Sequence, residues 1–274
     1  MCGRYTLNRR QEEIELAFDI EKVVADAVAR CNVSPTQKVP VVLEREGERV
    51  LDGFRWGLIP FWTKEVNKSR PMINARAETI ADKPYWKNCI TRKRCIIPAD
   101  GFYEWKKEGN AKTPMFIHLS DSSIFGFAGL WDEWRSPDGE VVRTCSIITT
   151  AANHAIAPVH DRMPVILRSE QLGDWLDPKN MKVEEVVSLL QPRRDDEIAM
   201  YAVSTRVNSP AYDGPDLLVP VDQMSPEEQE REKAAREKPA TRSKPAAKTA
   251  SKRTRKGAQT PELMESSEPE EAPL

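Results

Sequence analysis

The chain has 274 residues, of which 39% are hydrophobic and 31% are charged, enough for one globular domain with a buried core and a solvated remainder. Five irregularly spaced cysteines without a CxxC pair, together with three histidines, argue against a disulfide framework and against a zinc site. The formal net charge of -2 gives no bulk signal for nucleic-acid binding, so any contact with DNA would have to come from local arginines.

Short runs rich in Val, Ile, Phe and Trp, separated by Gly, Pro and Asp, predict β-strands through most of the chain. In chain order these runs are KVPVVLE (38–44), RVLDGFRWGL (49–58), PMFIHLS (114–120), SIFGFAGLW (123–131), TCSIITT (144–150) and IAMYAVS (198–204). Helical patterns occur at RRQEEIELAF (9–18), ADKPYWKNC (81–89), AANHAIA (151–157), SEQLGDWL (169–176, with Ser169 as the expected N-cap) and VEEVVSLL (183–190). Because the helices do not alternate regularly with the strands, the pattern favours an α+β fold: a single mixed domain with a curved, barrel-like, mainly antiparallel β-sheet flanked by short helices.

The last fifty residues differ in composition from the rest. They contain no aromatic residue and few large aliphatic ones, so we expect a domain over residues 1–222 and a disordered, charged tail over 223–274. Within that tail the charged residues from Arg242 to Lys256 are all basic, and those after Lys256 are all acidic. Weak electrostatic contact with nucleic acid and simple solubilisation both explain this segregation.

Two absences in the sequence concern location. No run approaches the roughly eighteen consecutive apolar residues that a membrane helix requires. The first residues, MCGRYTLNRR, lack the apolar core of a signal peptide. We therefore expect a cytoplasmic protein without membrane contact, associated with the nucleoid when it is bound to DNA. We also expect it to be a monomer.

Cys2 becomes chemically interesting through its position. Taken alone, a cysteine beside a chain end is most simply an inert residue of a frayed terminus. A small residue after Met1 is generally accepted by methionine aminopeptidase, so we expect the mature chain to begin with Cys2. Its amine and thiol, with ordinary pKa values of about 7.7 to 8.0 and about 8.5, would both supply nucleophile near neutral pH. Such a pair can condense with an aldehyde to an imine and then close to a five-membered thiazolidine.

Three further segments contain polar residues that could assist this chemistry. In PMINARAET (71–79), Asn74 and Arg76 alternate with smaller residues, which an exposed strand edge would explain equally well. In RCIIPADGFYEWKK (94–107), Glu104 lies between aromatic residues, where a carboxylate suits proton transfer at neutral pH, although strand alternation slightly favours an exposed position. In ITTAANHAIAPVHDRMPVIL (148–167), His160 is the strongest of the three histidines because an arginine follows it in a turn-like stretch.

The motifs MCGRY, NARAET, PADGFYEWKK and HDRMP, in that order, resemble the SOS-response-associated peptidase family, to which the vertebrate hydroxymethylcytosine-binding protein belongs. The resemblance extends over FRWGLIPFW, CNVSPTQKVPVV and STRVNSPAYDGPDLLVPV, and so covers roughly residues 2–222. It implies a sensor and shield of abasic sites in single-stranded DNA, often at junctions with duplex, that forms a covalent DNA–protein crosslink without a metal or other cofactor. It also implies a peptidase-like (hydrolase) activity that removes residues preceding the cysteine; since Met1 alone precedes Cys2 in this sequence, such self-processing is compatible with it but not required.

The resemblance assigns a role to each site residue. Cys2 would form the crosslink, Asn74 would orient its amine and the sugar, and Glu104 would be the general acid and base. His160 would assist the Schiff-base stage and Thr149 would complete the pocket. The phosphates would be bound by Arg4, Arg76 and Arg162, and bases would stack on or be wedged by Trp62 and Trp105.

Two other functions use the same residues. An N-terminal-nucleophile hydrolase acting on an amide would use the Cys2 amine as base, with Asn74, Glu104 or His160 at its oxyanion site. A non-covalent binder of modified or single-stranded DNA would leave Cys2 incidental.

Overall fold

The computed structural model describes residues 2–64, 71–109, 111–136, 138–177, 179 and 182–237. The strands among them, in chain order, are β1 Tyr5–Leu7, β2 Lys22–Val23, β3 Arg30–Val33, β4 Lys38–Arg45, β5 Glu48–Trp56, β6 Asn74–Arg76, β7 Arg94–Ala99, β8 Gly101–Glu108, β9 Ala111–Leu119, β10 Phe125–Arg135, β11 Val141–Ala151, β12 Arg162–Pro164, β13 Ile166–Leu167 and β14 Ile198–Ala202. The α-helices are α1 Gln11–Phe18, α2 Pro84–Arg92, α3 Leu172–Leu176, α4 Val183–Ser188 and α5 Pro226–Glu237, and short 3-10 turns lie between several elements.

The larger sheet closes on itself as a barrel. Its strands follow the order β11, β10, β7, β4 and β5 through antiparallel pairs, and β5 then pairs with β11 in parallel, with Arg55 opposite Thr144. Gly57 permits this closure: its φ is +121°, its N–H donates to the Cys145 carbonyl at 2.8 Å, and an added Cβ would lie 2.7 Å from the Pro71 side chain. Closure removes the free edges that an open sheet of this length would expose.

Aromatic side chains fill the inside of the molecule. Tyr5 packs edge-on against Trp56 and Phe127, with ring centroids 5.3 and 5.8 Å apart, and all three side chains are fully buried. Truncating one such side chain to alanine typically costs about 3–5 kcal/mol. The N-terminal strand is therefore held by the main core, and Cys2 belongs to the same core cluster.

The smaller sheet has the order β14, β9, β8, β1 and β3, and its pairs are antiparallel. A second apolar cluster covers it, formed by Cys31, Tyr103, Phe116, Val203, Val207 and Leu217. The cluster joins strands of this sheet to the segment that follows β14. This arrangement of a barrel, an attached sheet and short helices confirms the predicted α+β fold.

Two local predictions are wrong. AANHAIA does not form a helix: Ala151 is paired with Arg162 in the sheet, residues 154–159 form turns, and Pro158 cannot donate the N–H that a continuing helix needs. Ser169 is not an N-cap either. Arg168 holds that position, where its N–H donates to the Gln171 side chain at 2.8 Å, and Ser169 begins a 3-10 turn.

Regular secondary structure continues further towards the C-terminus than the composition predicts. Residues 226–237, expected within a disordered tail, form α5, so the tail cannot begin at residue 223. Within that helix Glu232 is 9% exposed, because its carboxylate accepts hydrogen bonds from Ser204 and Thr205. The basic and acidic blocks after residue 241 lie outside the described residues.

Across the described part of the chain, no helix combines the length and apolar character needed to cross a membrane.

Candidate active site around Cys2

Cys2 lies three residues before the start of β1 and is fully buried. Its carbonyl oxygen accepts a hydrogen bond from Asn74 Nδ2 at 2.9 Å. Asn74 begins β6, which runs parallel to β11 with Asn74 opposite Ile147. The barrel sheet therefore places this amide against the N-terminal residue, although 72 positions separate the two in the sequence.

Glu104 approaches Cys2 from the other sheet. Its strand β8 pairs with β1, and the pairing continues towards the chain start through a hydrogen bond of 2.9 Å from Tyr103 N–H to the Arg4 carbonyl. The Glu104 side chain is 4% exposed and its charge acts on the Cys2 thiol. The exposed position that strand alternation slightly favoured is therefore wrong.

The thiol does not titrate as an ordinary cysteine. Burial, and secondly the negative charge of Glu104, raise the pKa of Cys2 well above its usual value. The expectation of a thiolate fraction near neutral pH is wrong for this environment. The sulfur is held as a thiol, and its reaction requires a base to accept the proton.

Thr149 and Arg162 form a hydrogen-bonded unit on β11 and β12. The guanidinium of Arg162 donates to the Thr149 hydroxyl from Nε and Nη2, both at 3.2 Å, and to the Thr149 carbonyl at 2.6 Å. Its two terminal nitrogens also bind the Glu78 carboxylate at 3.0 and 2.9 Å. The Thr149 hydroxyl donates to Ala75, the neighbour of Asn74, at 3.3 Å. The unit thereby ties β6 to β11 beside the Asn74 contact.

His160 follows the turns of residues 154–159. Its Nδ1 lies 3.0 Å from the backbone nitrogen of Arg162 and 2.9 Å from the carboxylate of the exposed residue Asp161. These two local contacts hold the imidazole ring beside the start of β12.

The three predicted DNA-binding arginines have different surroundings. Arg76 is exposed on β6, opposite Thr149. Arg4 is half-buried, and its Nη1 donates to Asn32 at 2.7 Å and to the Val207 carbonyl at 2.6 Å. Arg162 is 9% exposed and bound as described above. Only Arg76 of the three presents its guanidinium mainly to solvent.

The two predicted tryptophans also differ. Trp62 is 55% exposed and packs edge-on between Phe61 and Tyr85, with centroids 4.9 and 4.8 Å away. Trp105 is half-buried, and its indole N–H donates to the Asn208 side chain at 2.8 Å.

Sequence reasoning did not single out Glu78, Asn32 or Asn208 as functional. Glu78 lies inside the NARAET motif, so the motif itself was the available signal. Asn32 and Asn208 act through contacts with residues more than twenty positions away, which no local pattern reports.

A closed β-barrel with an attached sheet, and a buried cysteine at position 2 flanked by an amide and a carboxylate, define the class of protein. The family model described as SOS response associated peptidase (SRAP) matches residues 1–210, and the chain belongs to this family.

Named relatives agree with this assignment. The chain is 43% identical over 221 residues to "Abasic site processing protein YoqW" of Bacillus subtilis (strain 168), covering 80% of this chain and 99% of that protein. It is 35% identical over 229 residues to "Abasic site processing protein HMCES" of Gallus gallus, covering 72% of this chain and 68% of that protein. An X-ray crystal structure of a protein from Bacteroides thetaiotaomicron matches with a TM-score of 0.70 and 30% identity, over 80% of this chain and 99% of that one.

Proposed function

We propose that this chain processes abasic sites in single-stranded DNA by bonding covalently to the sugar through Cys2. The observation that carries the proposal is the hydrogen bond from Asn74 to the Cys2 carbonyl, together with the buried Glu104, whose charge acts on the thiol of the same residue. The substrate class is supported by the names of the relatives, which are abasic site processing proteins.

The proposed reaction requires loss of Met1, which lies outside the described residues. The freed amine of Cys2 attacks the C1′ aldehyde of the ring-opened sugar, and the adduct loses water to give an imine. The Cys2 sulfur then adds to the imine carbon, its proton leaves, and the imine nitrogen gains a proton. Amine, thiol and aldehyde thus yield one thiazolidine and one water, without any redox change.

Glu104 is the proton carrier in this scheme. Because the Cys2 thiol is held protonated, sulfur attack needs a base within reach, and the Glu104 carboxylate would take the proton and return it to the nitrogen. Asn74 fixes the Cys2 carbonyl and so limits the directions in which the amine and thiol can point. His160 would assist imine formation, and Thr149 would shape the pocket.

The arginines and tryptophans divide into two groups in this proposal. Arg76 and Trp62 are exposed and would contact phosphate and base directly. Arg4, Arg162 and Trp105 are already hydrogen-bonded within the protein, so they would meet DNA only at their edges and mainly shape the groove.

The decisive experiment mixes purified protein with an abasic single-stranded oligonucleotide and analyses heat-treated samples on a denaturing gel. Wild type should give a shifted band that survives heat and detergent. Cys2→Ala should give none. Cys2→Ser keeps the amine but loses the thiol, so its band should persist only after borohydride reduction of the imine. Cys31→Ala, which removes a buried thiol elsewhere, serves as the matched control and should crosslink as wild type does.

Three measurements separate the competing functions: intact mass, an amide hydrolysis assay and DNA binding by the Cys2→Ala variant. A purified protein that retains Met1 yet crosslinks would refute the amine mechanism. Amide hydrolysis without crosslinking would favour the N-terminal-nucleophile hydrolase. Binding that survives Cys2→Ala, with no covalent band in wild type, would favour a non-covalent reader of DNA.

A further inference from the structure

Helix α5 extends the folded domain beyond the part that the family accounts for. The family match ends at residue 210, and the Bacillus subtilis relative aligns over 99% of its own length with 80% of this chain. Residues 226–237 lie past the family match but are nevertheless hydrogen-bonded to the domain.

The attachment of α5 centres on Glu232. One carboxylate oxygen accepts the Ser204 hydroxyl, and the other accepts the backbone N–H of Thr205 at 2.7 Å. Arg236, one turn later, donates to the Val203 carbonyl at 3.2 Å. Glu232 is 9% exposed and Ser204 is fully buried, so these charge-assisted bonds are largely shielded from water.

Residues 204–208 lead from Glu232 to the Cys2 site. The carbonyl of Val207 accepts Arg4 Nη1 at 2.6 Å, and Arg4 is two residues from Cys2. The side chain of Asn208 accepts the Trp105 indole N–H at 2.8 Å, and Trp105 follows Glu104. Segment 204–208 therefore supports both sides of the proposed reaction through neighbouring residues. It holds Arg4, near Cys2, and Trp105, next to Glu104.

We infer that Glu232 is a positioning residue, through which α5 braces the segment 204–208 and thereby aligns Cys2 with Glu104. The expected change in crosslinking rate rests on the proposed function. The expected change in how firmly Cys2 is held does not. Loss of the brace slows covalent bond formation much more than it weakens DNA binding. The exposed contacts Arg76 and Trp62 lie on other elements, whereas Arg4 and Trp105, which the segment holds, only border the groove.

The test compares full-length Glu232→Ala, Glu232→Gln and Glu230→Ala. Glu230 is exposed on the same helix and is the matched control. The first readout is the crosslinking rate as a function of abasic oligonucleotide concentration. The second is the rate at which iodoacetamide alkylates Cys2, measured by peptide mass spectrometry with the equally buried barrel residue Cys95 as internal reference.

For Glu232→Ala we expect the saturating crosslinking rate to fall about tenfold, with little change in the half-saturating DNA concentration, since small misplacements of reacting groups are costly. Alkylation of Cys2, but not of Cys95, should rise several-fold. Glu232→Gln keeps an oxygen for Thr205 and should recover most of the rate. Glu230→Ala should match wild type.

Each remaining outcome is informative. Equal acceleration of Cys2 and Cys95 alkylation would show general loosening and overturn the inference, as would an unchanged crosslinking rate in Glu232→Ala. If wild type forms no crosslink but Glu232→Ala still selectively exposes Cys2, the proposed function fails while the brace stands.

Discussion

The two sides of the Cys2 site are built differently. The N-terminal side, defined by Cys2, Arg4 and Glu104, holds its reactive groups by burial, and that burial keeps the thiol protonated. On the barrel side, Glu78, Thr149 and Arg162 are joined by hydrogen bonds around one guanidinium, and Asn74 lies beside them on β6. In the proposed mechanism the two sides would have separate tasks: the buried N-terminal side would carry the chemistry, and the hydrogen-bonded barrel side would support it.

The largest effect is expected on the N-terminal side. Glu104→Gln should lower the crosslinking rate by about 10²- to 10⁴-fold, the usual contribution of general acid–base catalysis, while DNA affinity stays unchanged. Single-turnover kinetics with an abasic oligonucleotide measures this rate, and binding to an intact oligonucleotide is the control. A rate equal to that of wild type would remove Glu104 from the mechanism.

The next effect concerns the barrel side and appears in stability rather than in chemistry. Arg162→Ala leaves the Thr149 carbonyl and the Glu78 carboxylate without their shared donor, and should lower the free energy of unfolding by about 1–3 kcal/mol. Urea denaturation measures it, with Arg76→Ala as the exposed control. Equal stability of the two variants would contradict the supporting role of Arg162.

Arg76→Ala tests the barrel side through DNA binding rather than through stability. Because Arg76 is exposed, its loss should weaken binding to single-stranded DNA and reduce the slope of log affinity against log salt by about 0.7 per lost phosphate contact. Fluorescence anisotropy at several salt concentrations provides the slope. An unaltered slope would make Arg76 a structural residue.

The smallest expected effect is the pH-dependent stabilisation by Glu197. It serves as a reference because Glu197 is remote from both sides of the Cys2 site. Desolvation opposes ionisation of Glu197, but hydrogen bonds from Arg168 and the Arg194 backbone, and the charge of Arg193, outweigh it and lower the pKa of Glu197 to about 2. Since the ordinary value is about 4.3, the stabilisation is complete above that pH and disappears as the pH falls towards 2. After allowance for solvent screening it is about 1 kcal/mol or less.

Thermal unfolding between pH 2 and 6 tests this prediction. Glu197→Gln should lower the melting temperature at pH 6 and flatten its dependence on acid relative to wild type. Parallel curves for the two proteins would show that other carboxylates dominate.

The sequence alone determined what depends on local pattern. Short runs rich in β-branched and aromatic residues predicted strands such as β4 and β11, and the α+β class followed because helices do not alternate regularly with those strands. The four motifs indicated the family, and the resemblance made Cys2, Asn74, Glu104 and His160 the candidate site residues.

Tertiary structure decided what depends on distant partners. The burial of Glu104 and the raised pKa of Cys2 depend on residues that the pairing of β1 with β8 brings together. The ion pair of Arg162 with Glu78 depends on β6 and β12 pairing with the same strand, β11. Helix α5 is the sharpest example. Its composition is typical of disorder. The local sequence pattern does not show that the Glu232 carboxylate accepts hydrogen bonds from the buried Ser204 hydroxyl and from the Thr205 backbone, 28 and 27 residues earlier in the chain.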